Sequence, residues 1–274
     1  MLRKPHTRFL LAVVSVALVS GAGCEKLRAR DKLNKGVQAF KAGQFDLAVE
    51  DFKEAKKLDP NLTNARLYLA TAYANQYIPG APSEENVRMG KQAVQEFQEV
   101  LDKDPNNLSA IDGIGSILYN MGGTPFDPQK FEDSKSYHKR HIQIKPEDPE
   151  PYYWIGVIDW SLAYRGNKDM REAYNRTAKK TIKDTDPMPP ALAAQFQQKY
   201  GALVDEGVAN LKKASELRTD YDDAMAYLNL LFRRKADMVE SADERAGLLK
   251  QADDLVDKVK EVKQKRAEQP QPAS

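Results

Sequence analysis

Apolar and small residues recur along this chain at spacings of three and four, the signature of helices that bury one face. Ala48, Phe52 and Ala55 show the spacing early, Ala93 and Phe97 follow, and Leu211 and Ala214 repeat it later. Near the C-terminus Leu248, Leu249, Ala252, Leu255, Val256 and Val259 carry it with charges between them. Prolines at Asp59-Pro60, Asp104-Pro105, Lys145-Pro146 and in the run 186–190 punctuate the pattern, because proline has no amide to donate within a helix. Helices are predicted over about 31–41, 45–58, 128–144, 191–217 and 242–263, the last a solubilising cap. The segment 76–85, with two prolines and a glycine, is expected to leave the helical register as a loop. It is either a tolerated turn insertion or a contact loop that uses Tyr77 and Ile78. The fold class is all-α.

The spacing also repeats at longer range. Residues 29–62 place Gly36 where two helices touch, Gly43 and Phe45 at a turn, then Ala48, Phe52, Ala55 and Asp59-Pro60. Gly, then Ala-x3-Phe, then Pro within 34 residues resembles the tetratricopeptide repeat. Lys32 and Ala39 occupy its tryptophan and tyrosine slots, which suits an end repeat. The resemblance continues with Leu69, Ala70, Tyr73 and Phe97 in 63–107, with Ile114 and Gly115 in 108–148, with Tyr152, Ile155 and Gly156 in 149–221, and with Leu228 and Phe232 in 222–264. It implies a right-handed solenoid of about five helix-turn-helix repeats with insertions and a C-terminal capping helix. Each pair buries its outward face only by stacking on the next, so such units are expected to fold together. The register breaks over about 163–190, which reads as a polar, partly helical insertion. The Pro/Gln-rich tail 267–274 is expected to be disordered.

The first 23 residues change the picture. Arg3, Lys4 and Arg8 precede a 12-residue uncharged run, Phe9 to Ser20, and then Gly-Ala-Gly leads to Cys24, the one cysteine of the chain. The run is shorter than the roughly 20 residues of a membrane span and reads as a secretory signal. The placement of Cys24 resembles bacterial lipoprotein precursors, which implies lipidation of Cys24, a linker over 24–28, and anchorage facing the periplasm. By the sorting rule known for some lipoproteins, Asp after the cysteine retains the protein at the inner membrane; Glu25 points instead to the outer membrane. An ordinary secreted protein is the alternative. A single cysteine excludes a disulfide framework and a cysteine metal site.

Without Arg3, Lys4 and Arg8 the chain holds 39 basic side chains against 40 acidic, so no basic excess favours nucleic acid. The unusual chemistry is His138 and His141 at i, i+3 in core slots, with Asp159 in the slot expected to face them. They are either a divalent-metal or acid/base site or a buried hydrogen-bond network with Asp159 paired to a histidine and to Tyr137 or Arg165. There is no HExxH motif and no glycine-rich phosphate loop, so no enzyme and no cofactor are expected.

The tetratricopeptide resemblance implies a concave groove, lined by the first helix of each repeat, that binds a peptide or protein partner of the cell envelope. Its slots put Asn64 and Asn75, then Tyr119 and Asn120, then Tyr153 and Trp160, then Arg233 and Arg234 on that surface. The aromatic and arginine content fits partner recognition. Alternatively Tyr119, Tyr153 and Trp160 pack beneath the 163–190 insertion. An envelope glycan binder using Trp160 and the tyrosines is a further reading.

Overall fold

The computed structural model describes residues 6–268, with side chains from residue 23 onward. The expected disorder of 269–274 and the side chains of the signal segment lie outside the described residues. The described chain is all-α and divides into two compact units, Met1–Phe126 and Asp127–Ser274. The division falls inside the third predicted repeat.

The first unit contains α1 (His6–Lys41), α2 (Phe45–Leu58), α3 (Thr63–Gln76), α4 (Glu84–Leu101) and α5 (Leu108–Gly123). Consecutive helices pack on one another, and α3 also meets α1 and α5. The tetratricopeptide slots act as the spacing predicts. Phe52 is fully buried, and a Cβ on Gly36 would lie 2.5 Å from its ring, so only glycine lets α1 and α2 close over that phenyl group. Gly43 turns between them at φ +73°, in the left-handed region glycine reaches without penalty. Ala48, Ala55, Leu69, Ala72 and Ala93 complete the core.

Two boundaries differ from the sequence expectation. Helix α1 begins well before 31 and runs through the expected 24–28 linker. Glu25 to Arg30 are good helix formers with no proline among them, and Ala29 is fully buried. The 76–85 segment is held close rather than left loose. Asn86 accepts from the Ile78 amide at 2.6 Å and donates to the carbonyls of Ile78 and Ala81, while Ser83 caps α4. Tyr77 packs over Gly90, and Ile78 remains exposed.

The second unit contains α6 (Pro128–Ile144), α7 (Pro149–Asn175), α8 (Pro190–Leu217), α9 (Asp222–Ala236) and α10 (Ala242–Glu268). Asp127 and Asp148 cap α6 and α7, each with proline in the first turn. Helix α7 packs on α6, α8 and α9, and α10 covers α9. The core gathers Phe196, Val204, Leu211, Leu228, Leu231 and Phe232.

The 163–190 segment is mostly a continuation of α7. Gly166, Asn167 and Arg171 on its inner face are buried, which carries the helix past the expected break. Arg171 then pins the loop that follows. It donates to the carbonyls of Lys183 (2.6 Å) and Asp186 (3.1 Å) and to Asp237 Oδ1 (3.0 Å), while Asn175 brackets Ile182 through its amide and carbonyl. At the other end, Arg266 reaches back to Asp222 at 2.9 Å, a basic group at the end of α10 meeting the start of α9.

Candidate partner-binding surfaces

The first helices of the fourth and fifth repeats, α7 and α9, carry an array of contacting aromatic rings. On α7, Tyr153, Trp160 and Tyr164 follow one another at spacings of seven and four, which keeps them on one face. Tyr227 of α9 lies between the first two, its ring centroid 5.8 Å from Tyr153 and 5.2 Å from Trp160, both edge-on. Trp160 stacks on Tyr164 at 5.2 Å, and Tyr164 is 42% exposed. Tyr153 also meets Trp154 at 5.4 Å and Tyr221 at 5.1 Å.

The array is anchored at its base. Tyr221 is buried and donates its hydroxyl to Glu150 at 2.8 Å; burial and the Glu150 carboxylate both hold that phenol far above its ordinary range. Arg218 lies over the Tyr221 ring at 4.3 Å and pairs with the other Glu150 oxygen at 2.8 Å. Such edge and offset contacts contribute about 0.5–1.5 kcal/mol each beyond burial and leave the rings few rotamers to lose on binding.

The eight residues expected to face a partner divide between the two units. In the first, Asn64 and Asn75 are exposed on α3, and Asn75 donates to the Thr71 carbonyl of its own helix. Tyr119 and Asn120 are half-buried on α5. In the second, Tyr153 and Trp160 are half-buried within the aromatic array. Arg233 is half-buried and committed to Asn229 (2.9 Å) and to Asp253 of α10 (2.6 Å).

Arg234 corrects the expectation. It is buried, donates to Asp184 at 3.0 Å, and lies 3.4 Å from Asp237, inside the ion network that Arg171 and Asn167 complete. The helical register turns it about 100° from Arg233 and into the unit. Tyr164, Tyr221 and Tyr227 were missed as members of the array. Tyr164 continues the Trp160 face by one turn and was the readable signal; Tyr221 and Tyr227 come from another helix.

The histidine and aspartate cluster is also rearranged. Asp159 is fully buried, but its partner is Lys135, whose Nζ donates to Oδ1 at 2.8 Å and also reaches Glu206 at 3.3 Å. Burial pushes the Asp159 carboxyl up to about 7, and the Lys135 ammonium opposes that rise. For Lys135, burial lowers the pKa and the Asp159 carboxylate raises it, with a net rise. His138 lies flat against Trp154, centroids 6.0 Å apart, and burial followed by the nearby His141 lowers its pKa to about 4. His141 Nε2 lies 3.7 Å from Asp148.

Arg165 pairs with Asp169 rather than Asp159. No group of three His, Cys, Asp or Glu side chains among the described residues has an arrangement that could hold a metal ion. The three candidates therefore do not converge, because Lys135, one turn before His138 on α6, reaches Asp159 with a longer and charged stem.

With this geometry in view, the chain resembles several solved proteins in fold. It matches the crystal structure of MamA protein with a TM-score of 0.57 at 15% identity, over 90% of this chain and 98% of that one. It matches residues 41 to the end of MamA from Desulfovibrio magneticus RS-1 with a TM-score of 0.56 at 17% identity, over 89% and 98%. It matches YrrB, described as a TPR protein with an unusual peptide-binding site, with a TM-score of 0.51 at 14% identity, over 85% and 90%. No family model and no curated protein sequence matches the chain. The shared feature is the fold: an all-α, tetratricopeptide-like succession of packed helix pairs.

Proposed function

We propose that this chain is a non-enzymatic binding protein of the bacterial cell envelope that holds a peptide or protein partner on the first-helix faces of its repeats. The observation that carries the reading is the Tyr153–Tyr227–Trp160–Tyr164 array. Its rings are already packed against one another, yet Tyr164 and part of Trp160 remain open to solvent. Aromatic side chains held rigid in this way are the groups that dominate binding hot spots. The test uses the full chain on beads, challenged with envelope extract beside a Trp160→Ala/Tyr164→Ala variant of unchanged helicity. A polypeptide retained by the parent and lost from the variant supports the reading; identical retention contradicts it.

The location in the proposal rests on Cys24, which follows Gly-Ala-Gly and is exposed on α1. Lipidation there would anchor the protein, and Glu25 favours the outer membrane. Among the described residues no helix is long and apolar enough to cross a membrane. Cys24→Ser should move the protein from the membrane to the soluble fraction and abolish labelling by a fatty-acid analogue; unchanged partition would remove the anchor from the account.

A further inference from the structure

The first unit contains a cavity of about 580 Å³ away from the faces discussed above, bounded by α2, the end of α3 and α4. Its size falls in the usual range of ligand pockets, about 300–1,000 Å³. The floor is apolar: Val49 is buried, the Tyr73 ring is buried, and Met89 closes it from α4. The charges around the floor are uncommitted. Asp46 and Glu50, one turn apart on α2, have no ion-pair partner among the described residues. Lys53 lies one further turn along, with its ammonium 5.6 Å from the Tyr73 centroid and no carboxylate within ion-pair distance among the described residues. Charged side chains elsewhere in the chain are extensively paired, so this cluster stands apart. The amide Nε2 of Gln76, which also lines the cavity, is buried and has no acceptor.

A donor buried without an acceptor costs roughly 1–3 kcal/mol, and a bound carbonyl or carboxylate would remove that cost. Two free carboxylates on one side call for a cation. The free ammonium and the unpaired amide call for an anion or carbonyl, and the Tyr73–Met89 floor suits an apolar group between them. We infer that this cavity binds a short peptide segment in which an apolar residue is flanked by one basic and one acidic side chain. The basic group would meet Asp46 and Glu50, and the acidic group Lys53 and Gln76. The inference is independent of the aromatic array, which lies in the other unit.

The test is an NMR titration of the full chain with capped Lys-Leu-Glu and Glu-Leu-Lys, using capped Lys-Leu-Lys and Glu-Leu-Glu as controls. At least one mixed-charge peptide should give saturable shifts confined to residues near 46–53, 73–76 and 88–92. Binding should weaken at least tenfold in Glu50→Lys, an exposed position whose replacement leaves the rest of the spectrum in place. It should persist in Trp160→Ala. The absence of saturable shifts, equal binding of all four peptides, or unchanged binding by Glu50→Lys would each overturn the assignment.

Discussion

Lys135 Nζ donates to Asp159 Oδ1 at 2.8 Å, and both side chains are buried where α6 crosses α7. Removing one member of a buried pair leaves an unpaired charge, whereas replacing both with apolar groups does not. Lys135→Met alone should therefore destabilise the chain by about 3–5 kcal/mol. Lys135→Met combined with Asp159→Leu should recover most of that loss. Urea denaturation with intrinsic fluorescence measures both, and equal midpoints for the single variant and the parent would contradict the pairing.

Two groups in that interface respond to pH in opposite directions. His138 titrates near 4 in the fold and near 6.5 when unfolded, so the unfolded chain binds the extra proton and stability falls as pH drops from 6.5 to 4. The full effect is about 3 kcal/mol. Asp159 titrates near 7 in the fold and near 3.8 when unfolded, so the folded chain takes up the proton first and stability rises over nearly the same window. His138→Phe, which keeps a ring on Trp154, should make stability rise relative to the parent as pH falls. Asp159→Asn should make it fall relative to the parent. Denaturation midpoints at pH 7.5 and 5 decide the signs; parallel shifts in both variants would defeat the argument.

Much of the fold could be read directly, and the reason is local. Gly36, Phe52 and Gly156 sit where small-against-large packing demands them, at spacings visible within one repeat. The array on α7 was half legible through Tyr153 and Trp160. What stayed hidden depends on partners far along the chain. Lys135 resembles any surface lysine until Asp159, 24 positions on, comes beneath it. Arg171 lies in what reads as a polar insertion, and its partner Asp237 is 66 positions away. Arg234 was assigned to a surface by its slot alone, and the Asp184 and Asp237 carboxylates that draw it inward carry no signature.

Arg171 holds the loop after α7 by two carbonyls and holds Asp237 by a buried ion pair. Arg171→Met should release the loop and leave Asp237 without one of its charged partners. Trypsin should then cut at Lys179, Lys180 or Lys183 well before it cuts the parent there, as read by mass spectrometry of timed digests. Stability should drop by about 3–5 kcal/mol. Equal cleavage rates would show that the loop is held by other contacts.

Gly156 takes the repeat's glycine slot on α7, where an added Cβ would lie 2.3 Å from Leu211 Cγ of α8. Gly156→Ala should cost about 1–3 kcal/mol through overpacking, and Gly156→Ala with Leu211→Ala should lose less than the sum of the two single changes. Additive losses would mean that the two helices are not held at the distance this contact implies.

The central claim is that partners dock on the aromatic face of α7 and α9. Its most direct test is photo-crosslinking in living cells from positions Trp160 and Tyr164, with Lys213, exposed on α8, as the control. The account predicts one common adduct from the two aromatic positions and none from Lys213. The same adducts from all three positions, in similar yield, would contradict it.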